Sequence, residues 1–300
     1  MNARKTCGTS KLGKRYILTN MPRIPLEDDF NDVINKAQRG LKFSDEQLAE
    51  KAGVSPDELI AVKHGAPVIA TIRRVARPLR LSAKALETLA QKAWYPEQPI
   101  FPHGFAMFNT YFPHKKISLD IRVNNYLVWD ARTRVAAAFD TGANCSRMIE
   151  FIKAEKLIML YVFLTHTHDD HIADLDRLAC VSKATVWASE REPAPFHGSL
   201  RFKENASFNM GSIAIKTLLT SGHSPGQTTY YITGLSWPLA IVGDSLFASS
   251  MGGSEDHYLE QYDNDREKIF ALPRDTVLAP GHGPLTTVAQ ELKHNPFFAQ

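Results

Sequence analysis

Cysteine is scarce in this chain, with three residues among 300, at positions 7, 145 and 180. Their number is odd and their spacing is wide, so the sequence excludes the kind of disulfide framework that stabilises small secreted domains. A reducing compartment suits such a chain best, and we expect a cytoplasmic protein. None of the three cysteines lies in the motifs described below.

Long apolar runs and a strong charge imbalance are also missing. No stretch approaches the roughly 20 apolar residues of a membrane-spanning helix, and no apolar segment follows the basic start as it would in a secretory signal peptide. The formal net charge of +3 makes no case for a nucleic-acid partner by itself. With 44% hydrophobic and 22% charged residues, the composition is that of an ordinary globular protein without a membrane partner.

Charge and periodicity divide the chain into four parts. The first 26 residues contain six basic residues and no acidic one, which predicts a basic, disordered tail over 1–27. Residues 28–94 show apolar residues at helical spacing and predict a small all-α domain. The proline-rich residues 95–102 are predicted to be a linker. Residues 103–300 alternate strand and helix patterns, which predicts an α/β layered domain.

Two helix starts in the all-α part carry clear capping signals. Ser44 is followed three residues later by Gln47, a capping-box pattern, and Ser55 precedes a proline at the first helical position. Gly53, between these helices, supplies the left-handed residue of a tight turn. The segment FSDEQLAEKAGVSPDELIAVKHG therefore resembles the helix-turn-helix of the phage-repressor-like family.

That resemblance concerns the fold more than DNA binding. The family reads DNA with the start of its second helix, where this chain has Pro56, Asp57 and Glu58, whose carboxylates would repel phosphate. Over residues 27–92, eleven Lys and Arg stand against ten Asp and Glu, far from the basic surface of a DNA-binding module. We expect no nucleic-acid partner, and a structural or dimerisation role, including a homodimer formed through these helices.

The strongest chemical pattern follows the predicted buried strand Ile158–Leu164, in the run Thr165-His166-Thr167-His168-Asp169-Asp170-His171. Extended residues two apart point the same way, so His166 and His168 can reach one ion together. The chain then turns into a helix, from which Asp170 and His171 can reach a second ion. Imidazole nitrogen and carboxylate oxygen are ligands that Zn²⁺ accepts at about 2.0–2.2 Å.

Three further segments place a ligand-type residue on a tight loop after a predicted strand. His223, Asp244 and His282 follow the strands predicted over 213–219, 239–242 and 276–278, respectively. Glycine and proline around these residues fix the backbone and let it approach a metal closely. The pattern predicts a metal site built from seven residues.

The series HxHxDH, His, Asp, His over about residues 103–300 resembles the metallo-β-lactamase superfamily. The resemblance implies an αβ/βα sandwich preceded by the small all-α domain, and two metal ions. It assigns His166, His168 and His223 to the first ion, Asp170, His171 and His282 to the second, and Asp244 to both. Asp140, which ends a predicted strand in Asp-Thr-Gly, matches the family's aspartate that orients a histidine ligand. A turn-forming aspartate is the alternative.

The chemistry follows from these ligands. Two ions roughly 3.5–4 Å apart can share a water and lower its pKa toward neutrality, which gives a bridging hydroxide without a separate general base. We therefore predict a metal-dependent hydrolase of a small ester-like substrate, with Asp170 and Asp244 as its catalytic carboxylates. The two divalent ions are expected to be Zn²⁺, which suits a thiolate leaving group, although iron or manganese fits the same ligands.

The C-terminal stretch indicates a narrower class of substrates. Thr276–Pro284 and the ending His294-Asn295-Pro296-Phe297 resemble glyoxalase II-like thioester hydrolases of the short bacterial type, which implies a hydroxyacylglutathione-like thioester. The sequence departs from that pattern at Ile172-Ala173-Asp174, at Gln227 and at Met251–Ser254. These departures leave the metal ligands intact and bear on the glutathione part of the substrate.

Three other functions stay open from the sequence. A mononuclear-iron persulfide dioxygenase, which resembles the same subfamily, would hold one iron and consume oxygen. A lactonase would prefer lactones to S-lactoylglutathione. A DNA-binding regulator with a metabolite-sensing metal domain would bind duplex DNA with an affinity that falls steeply with salt.

Overall fold

The structure is a computed structural model that describes residues 23–113, 120–195 and 197–299. Most of the predicted basic tail, residues 1–22, lies outside the described residues. None of the helices described has the length and apolar character that crossing a bilayer requires.

Five short helices come first along the described chain: α1 (Phe30–Gly40), α2 (Asp45–Ala52), α3 (Pro56–Lys63), α4 (Ile69–Ala76) and α5 (Ala83–Ala90). The predicted capping signals are present. Ser44 accepts a hydrogen bond from the Gln47 backbone while the Gln47 side chain accepts one from the Ser44 backbone. Gly53 ends α2 in the left-handed conformation, at φ 65°. Local residue chemistry therefore determines where these helices begin and end.

The first sheet contains six strands in the order β1-β2-β3-β4-β5-β6. Their bounds are Phe105–Pro113, Asp120–Trp129, Val135–Phe139, Ile158–Phe163, Thr185–Ser189 and Leu200–Phe202. The pairs β1–β2 and β2–β3 are antiparallel, and β3 to β6 run parallel. The connecting helices are α6 (Ser146–Ala154), α7 (Asp169–Ile172) and α8 (Leu175–Ser182).

The second sheet has the order β14-β13-β10-β9-β8-β7. In chain order its strands are β7 (Ser207–Met210), β8 (Ile213–Leu219), β9 (Thr228–Thr233), β10 (Leu239–Gly243), β13 (Val277–Pro280) and β14 (Thr286–Thr287). A small hairpin, β11 (Leu246–Phe247) and β12 (Ser250–Met251), follows β10. Helix α9 (Tyr258–Asn264) continues into a π-helical turn (Asp265–Ile269), and α10 (Val288–His294) follows β14.

The described residues form four layers, helices, sheet, sheet and helices, with apolar side chains packed between them. Met148 and Leu178, from α6 and α8, cover the outer face of the first sheet, and the two sheets face each other through aromatic residues such as Phe163 and Tyr230. Strand β10 is buried on both faces, because Ile241 points between the sheets while Val242 points outward. This is the αβ/βα layer order that the sequence resemblance implies.

The five N-terminal helices pack into the apolar cluster on the outer face of the second sheet. Their apolar residues form one cluster with Val242, Leu278, Tyr258 and the C-terminal phenylalanines. Helix α1 approaches α9 so closely that a Cβ atom at Gly40 would overlap the ring of Tyr258. Polar contacts add to this, since Lys36 donates to the Met251 carbonyl at 2.9 Å. The helices are therefore packed directly against the layer that carries the second sheet.

Candidate metal centre

The seven predicted ligands lie on loops and on one short helix at one edge of the two sheets. His166 and His168 follow β4, and Asp170 and His171 belong to the short helix α7. His223 lies between β8 and β9. Asp244 follows β10 and His282 follows β13, as predicted. The ends of these strands therefore converge, and the side chains that the sequence separates by up to 116 positions meet there.

Their ligand atoms form three interlocking groups in which every atom lies within 4.8 Å of the others: His166, His168 and His223; His166, His171 and Asp244; and Asp170, His171 and His282. Asp244 lies at the centre of the arrangement. Its Oδ1 is 3.3 Å from His171 Nε2, and its Oδ2 is 3.5 Å from His223 Nε2 and 3.3 Å from His282 Nε2. One carboxylate thus contacts histidines of both predicted ion groups.

Several of these atoms are buried without a hydrogen bond. His166 Nε2, His171 Nε2 and Asp244 Oδ1 have no hydrogen-bond partner among the described residues. A buried polar atom without a partner costs about 1–3 kcal/mol, so three at one point call for a ligand that satisfies them together. A divalent cation fits this donor set of imidazole nitrogens and carboxylate oxygens.

The charges in the cluster point the same way. Burial lowers the pKa of His166 well below its usual value, which keeps its nitrogen free to coordinate. Burial also disfavours a charged His171, but the carboxylates of Asp244 and Asp140 outweigh it and raise the pKa of His171 to about 10. Despite its burial, Asp244 has a pKa well below the usual range because His282 and His171 lie beside it. The cluster thus combines ionised carboxylates with histidines that favour the protonated form, and a bound cation would take over that positive charge.

The outer nitrogens of His171, His223 and His282 are each fixed by a partner on the protein side. Asp140 Oδ2 lies 2.8 Å from His171 Nδ1, and Asp140 also accepts bonds at 2.8 Å from the Thr165 backbone and hydroxyl. His282 Nδ1 lies 2.8 Å from the Arg122 carbonyl, and His223 Nδ1 lies 2.9 Å from the Gly253 carbonyl. Such partners select the tautomer in which Nε2 faces the metal.

The opening of the centre is asymmetric. His166 and His171 are fully buried, whereas His168 is exposed and Asp170 and His223 are partly exposed. Solvent and substrate therefore reach the cluster from the side of His168 and Asp170.

Sequence reasoning does not reveal the residues that hold the ligand loops together. Asn124, in the middle of β2, donates to the carbonyls of Pro280 and Gly283 on either side of the His282 loop. Glu192, after β5, accepts hydrogen bonds from the loops of His168 and His223. The only signal for Asn124 is a polar residue inside an apolar strand, and the sequence carries none for Glu192.

Two other predicted features can be located. Gln227, where the thioester-hydrolase pattern usually has histidine, is fully buried and donates to the Val242 carbonyl at 3.0 Å, so it has a structural contact. The departing segment Met251–Ser254 lies beside α1, and its Gly253 carbonyl is the partner of His223.

Comparison with known proteins agrees with this geometry. The family model for the metallo-beta-lactamase superfamily matches residues 120–282, which include all seven predicted ligands and Asp140. A "Probable metallo-hydrolase YqgX" from Bacillus subtilis is 33% identical over 184 residues, covering 53% of this chain and 85% of that protein.

Two further relatives carry named activities. The hydroxyacylglutathione hydrolase GloC of Haemophilus influenzae is 26% identical over 197 residues, covering 58% of this chain and 92% of that protein. The human mitochondrial persulfide dioxygenase ETHE1 is 29% identical over 182 residues, covering 57% and 69% of the two chains. Among solved structures, the BLEG-1 B3 metallo-beta-lactamase superposes with a TM-score of 0.51 at 27% identity, covering 64% of this chain and all of that one.

Proposed function

The chain belongs to the metallo-beta-lactamase superfamily and is a metallo-hydrolase, and from this premise we propose that it hydrolyses a small thioester at the centre formed by His166, Asp170, Asp244 and the other four ligand residues. The observation that carries the proposal is the set of three interlocking ligand groups joined by Asp244. A single-ion site would need only one of these groups.

We assign the ligands to two ions as the family resemblance implies. His166, His168 and His223 would hold one divalent ion, Asp170, His171 and His282 the other, and Asp244 would bridge them. When bound, such a pair of ions polarises an ester carbonyl, lowers the pKa of water and stabilises a thiolate leaving group. We expect Zn²⁺, with iron or manganese as the alternatives.

The protein's own contribution is orientation and charge. Asp170 and Asp244 are ionised, because hydrogen bonding to His282 outweighs burial and lowers the pKa of Asp170, and neighbouring histidines do the same for Asp244. Asp170 is the more accessible of the two, with its side chain 18% exposed against 7% for Asp244. It can therefore accept a hydrogen bond from the attacking water and hold it toward the substrate carbonyl.

The relatives support a thioester substrate. Hydroxyacylglutathione hydrolases are named among them, and their substrate class has the thiolate leaving group that this centre suits. The segment that departs from the family pattern, Met251–Ser254, contacts the centre through the Gly253 carbonyl, which lies 2.9 Å from His223 Nδ1. We therefore propose that the thiol portion of the substrate differs from glutathione.

The N-terminal helices are proposed to form part of this enzyme and not to read DNA. The start of α3, which would face a DNA groove in a helix-turn-helix protein, presents Asp57 and Glu58. Hydrogen bonding from the Ser55 backbone lowers the pKa of Glu58 and so stabilises its negative charge. The opposite side of the bundle packs on the hydrolase layers. A homodimer through these helices stays a prediction, and a gel-filtration run tests it.

The persulfide dioxygenase relative defines the competing function. That enzyme class needs one redox-active iron and oxygen, so metal content and oxygen uptake separate the two proposals. The test is metal quantification on the protein as purified, followed by turnover assays with thioester, lactone and phosphodiester substrates and by oxygen-electrode measurements with a persulfide.

We expect about two zinc ions per chain and thioester hydrolysis that is lost in Asp244→Asn. His257→Ala serves as the matched control, because the His257 side chain is 64% exposed and contacts Glu260 outside the ligand groups. One iron per chain with oxygen consumption would overturn the hydrolase proposal.

A further inference from the structure

A buried glutamate outside the predicted ligand set links the loops of the metal centre. Glu192 follows β5 and is 5% exposed. Its Oε2 accepts hydrogen bonds from the Thr167 backbone at 3.0 Å and from the Thr167 hydroxyl at 2.5 Å. Its Oε1 accepts bonds from the Ser224 hydroxyl at 2.5 Å and from the Gly226 backbone at 2.8 Å. Both oxygens of one carboxylate are therefore fully used.

The donors belong to the two loops that carry the first ligand group. Thr167 lies between His166 and His168, and Ser224 directly follows His223. Within the described part of the chain, Glu192 makes no hydrogen bond to the loops of Asp244 or His282. The carboxylate thus fixes the distance between the loops that bring His166, His168 and His223 together.

A carboxylate satisfies this arrangement, because both of its oxygens accept hydrogen bonds. Four donors converge on two oxygens that together offer about four acceptor sites, whereas glutamine would replace one oxygen by a donating amide. The surroundings are built for the close approach: a Cβ at Gly226 would stand 2.7 Å from the Glu192 backbone nitrogen. Arg201 in turn donates to the Glu192 carbonyl. Hydrogen bonds of this kind offset the cost of burying the charge.

Asp140 makes the corresponding contacts on the other side of the centre. It touches His171 Nδ1 directly and accepts a bond from the Thr165 backbone. We propose that Glu192 is the positioning residue of the first ion group, beside Asp140, which contacts His171 directly and His166 through the Thr165 hydroxyl. This inference rests on the proposed function, because it assumes that the seven residues bind metal.

The test is a zinc titration of chelator-stripped protein, with stoichiometry and affinity read by calorimetry. Glu192→Gln keeps the size of the side chain but can accept from only one loop. We expect the affinity of one of the two ions to fall by about 10–100-fold, the range typical for partners of metal ligands, and that of the other to be retained. Glu192→Ala should lose more than Glu192→Gln. In a crystal of the Gln variant, anomalous scattering should show the remaining ion at Asp170, His171 and His282.

Asp130→Asn is the matched control. Asp130 is also a buried carboxylate, 1% exposed, and it accepts bonds from the backbones of Thr133 and Ser212. It contacts no predicted ligand, so its loss should lower stability and leave both zinc affinities unchanged. Thr167→Val removes a donor from the His168 loop, and Ser224→Ala removes one from the His223 loop. If the Glu192 variants do not fold, these two variants are titrated with zinc in their place.

The outcomes separate the two proposals. If the wild-type protein binds no zinc, the proposed function fails together with this inference. If the wild-type protein binds two ions and Glu192→Gln, Thr167→Val and Ser224→Ala bind both equally well, the inference fails while the function stands. Equal weakening of both ions by Glu192→Gln and by Asp130→Asn would also overturn the positioning role.

Discussion

Gly281 lies directly against Asp244, so that a Cβ atom at position 281 would overlap the Oδ1 atom of that carboxylate and press on His171 Cε1. The glycine precedes His282 on the loop after β13, and its backbone nitrogen donates to the Gly243 carbonyl at 2.9 Å. The two loops that end neighbouring strands therefore touch through a residue without a side chain. The position of Asp244 beside His171 therefore depends on a residue without a Cβ atom at position 281.

Gly281→Ala should consequently disturb the metal centre more than the fold. The added methyl must displace Asp244, and we expect zinc affinity to fall by at least about 10–100-fold, with a loss of stability of about 1–3 kcal/mol from overpacking. Gly253→Ala is the control, because a Cβ there meets no atom within 4 Å. Zinc titration and chemical denaturation of both variants check the prediction. Equal zinc binding by the two variants would contradict it.

Metal binding should also stabilise the folded chain. The buried atoms of His166, His171 and Asp244 lack hydrogen-bond partners in the described residues, and a cation that binds only the folded state adds about 2.7 kcal/mol at a concentration one hundred times its Kd. We expect the Tm to fall when a chelator removes the ions and to recover when Zn²⁺ is restored. Calorimetric scans with and without Zn²⁺ measure this change, and a Tm that ignores the metal would count against the site.

The fold and the convergence of the predicted ligand residues could be predicted from sequence for a common physical reason. Each ligand segment follows a strand whose apolar residues are visible in the sequence, and the strand ends meet at one edge of the layers. The prediction that the strand before His166 is buried is wrong for its first half, where Ile158 is 57% and Leu160 37% exposed. The helix starts at Ser44 and Ser55 could also be predicted, because capping is a local interaction between residues three apart. Local periodicity and loop chemistry therefore carry most of this information.

The long-range contacts could not be predicted from the sequence. Glu192 joins loops that contain residues 25 and 34 positions away, and nothing near it in the chain marks that role. Strand β1 (Phe105–Pro113) is not predicted from its mixed pattern and forms through nine pairings with β2. The packing of α1 on α9 depends on Gly40, whose partner Tyr258 lies more than 200 residues later. Such contacts are fixed by the tertiary structure alone.

A buried glutamate makes stability depend on pH. Burial raises the pKa of Glu291 from 4.5 to about 7, although Thr286, Ser249 and Asn295 donate hydrogen bonds to it. Between about pH 4.5 and 7 the folded chain therefore holds a proton that the unfolded chain releases, so the free energy of unfolding decreases as pH rises through this window. At about 1.4 kcal/mol per pKa unit, the full effect is about 3 kcal/mol.

Glu291→Gln should remove this slope, because the amide mimics the protonated carboxyl at every pH. We expect the variant to gain stability over wild type as the pH rises from 5 to 8, measured by urea denaturation. The difference between two variants cancels the titration of the metal-site histidines, which both retain. Glu150→Gln, at an exposed position, is the control and should show no such trend. A constant difference for Glu291→Gln across the range would refute the assignment.

The π-helical turn contains a carboxyl group that costs stability. Asp265 is fully buried, and neither of its side-chain oxygens has a hydrogen-bond partner in the described part of the chain. Burial alone raises its pKa well above the usual value, so the folded state must either protonate it or hold an unpaired charge. A buried polar group without a partner costs about 1–3 kcal/mol in measured variants.

Asp265→Leu should therefore raise the free energy of unfolding by about 1–3 kcal/mol at pH 7, because leucine has the same branched shape without the polar atoms. The gain should shrink as the pH falls below about 4, where the carboxyl becomes protonated in the unfolded chain as well. Asp263→Leu, at an exposed position two residues earlier, should change stability by less than about 0.5 kcal/mol. The neighbouring Asn264 donates to the Ser221 carbonyl at 2.8 Å, at the start of the His223 loop, so zinc affinity is measured in the same samples. A variant less stable than wild type at pH 7 would show that Asp265 has a buried partner that stabilises its charge.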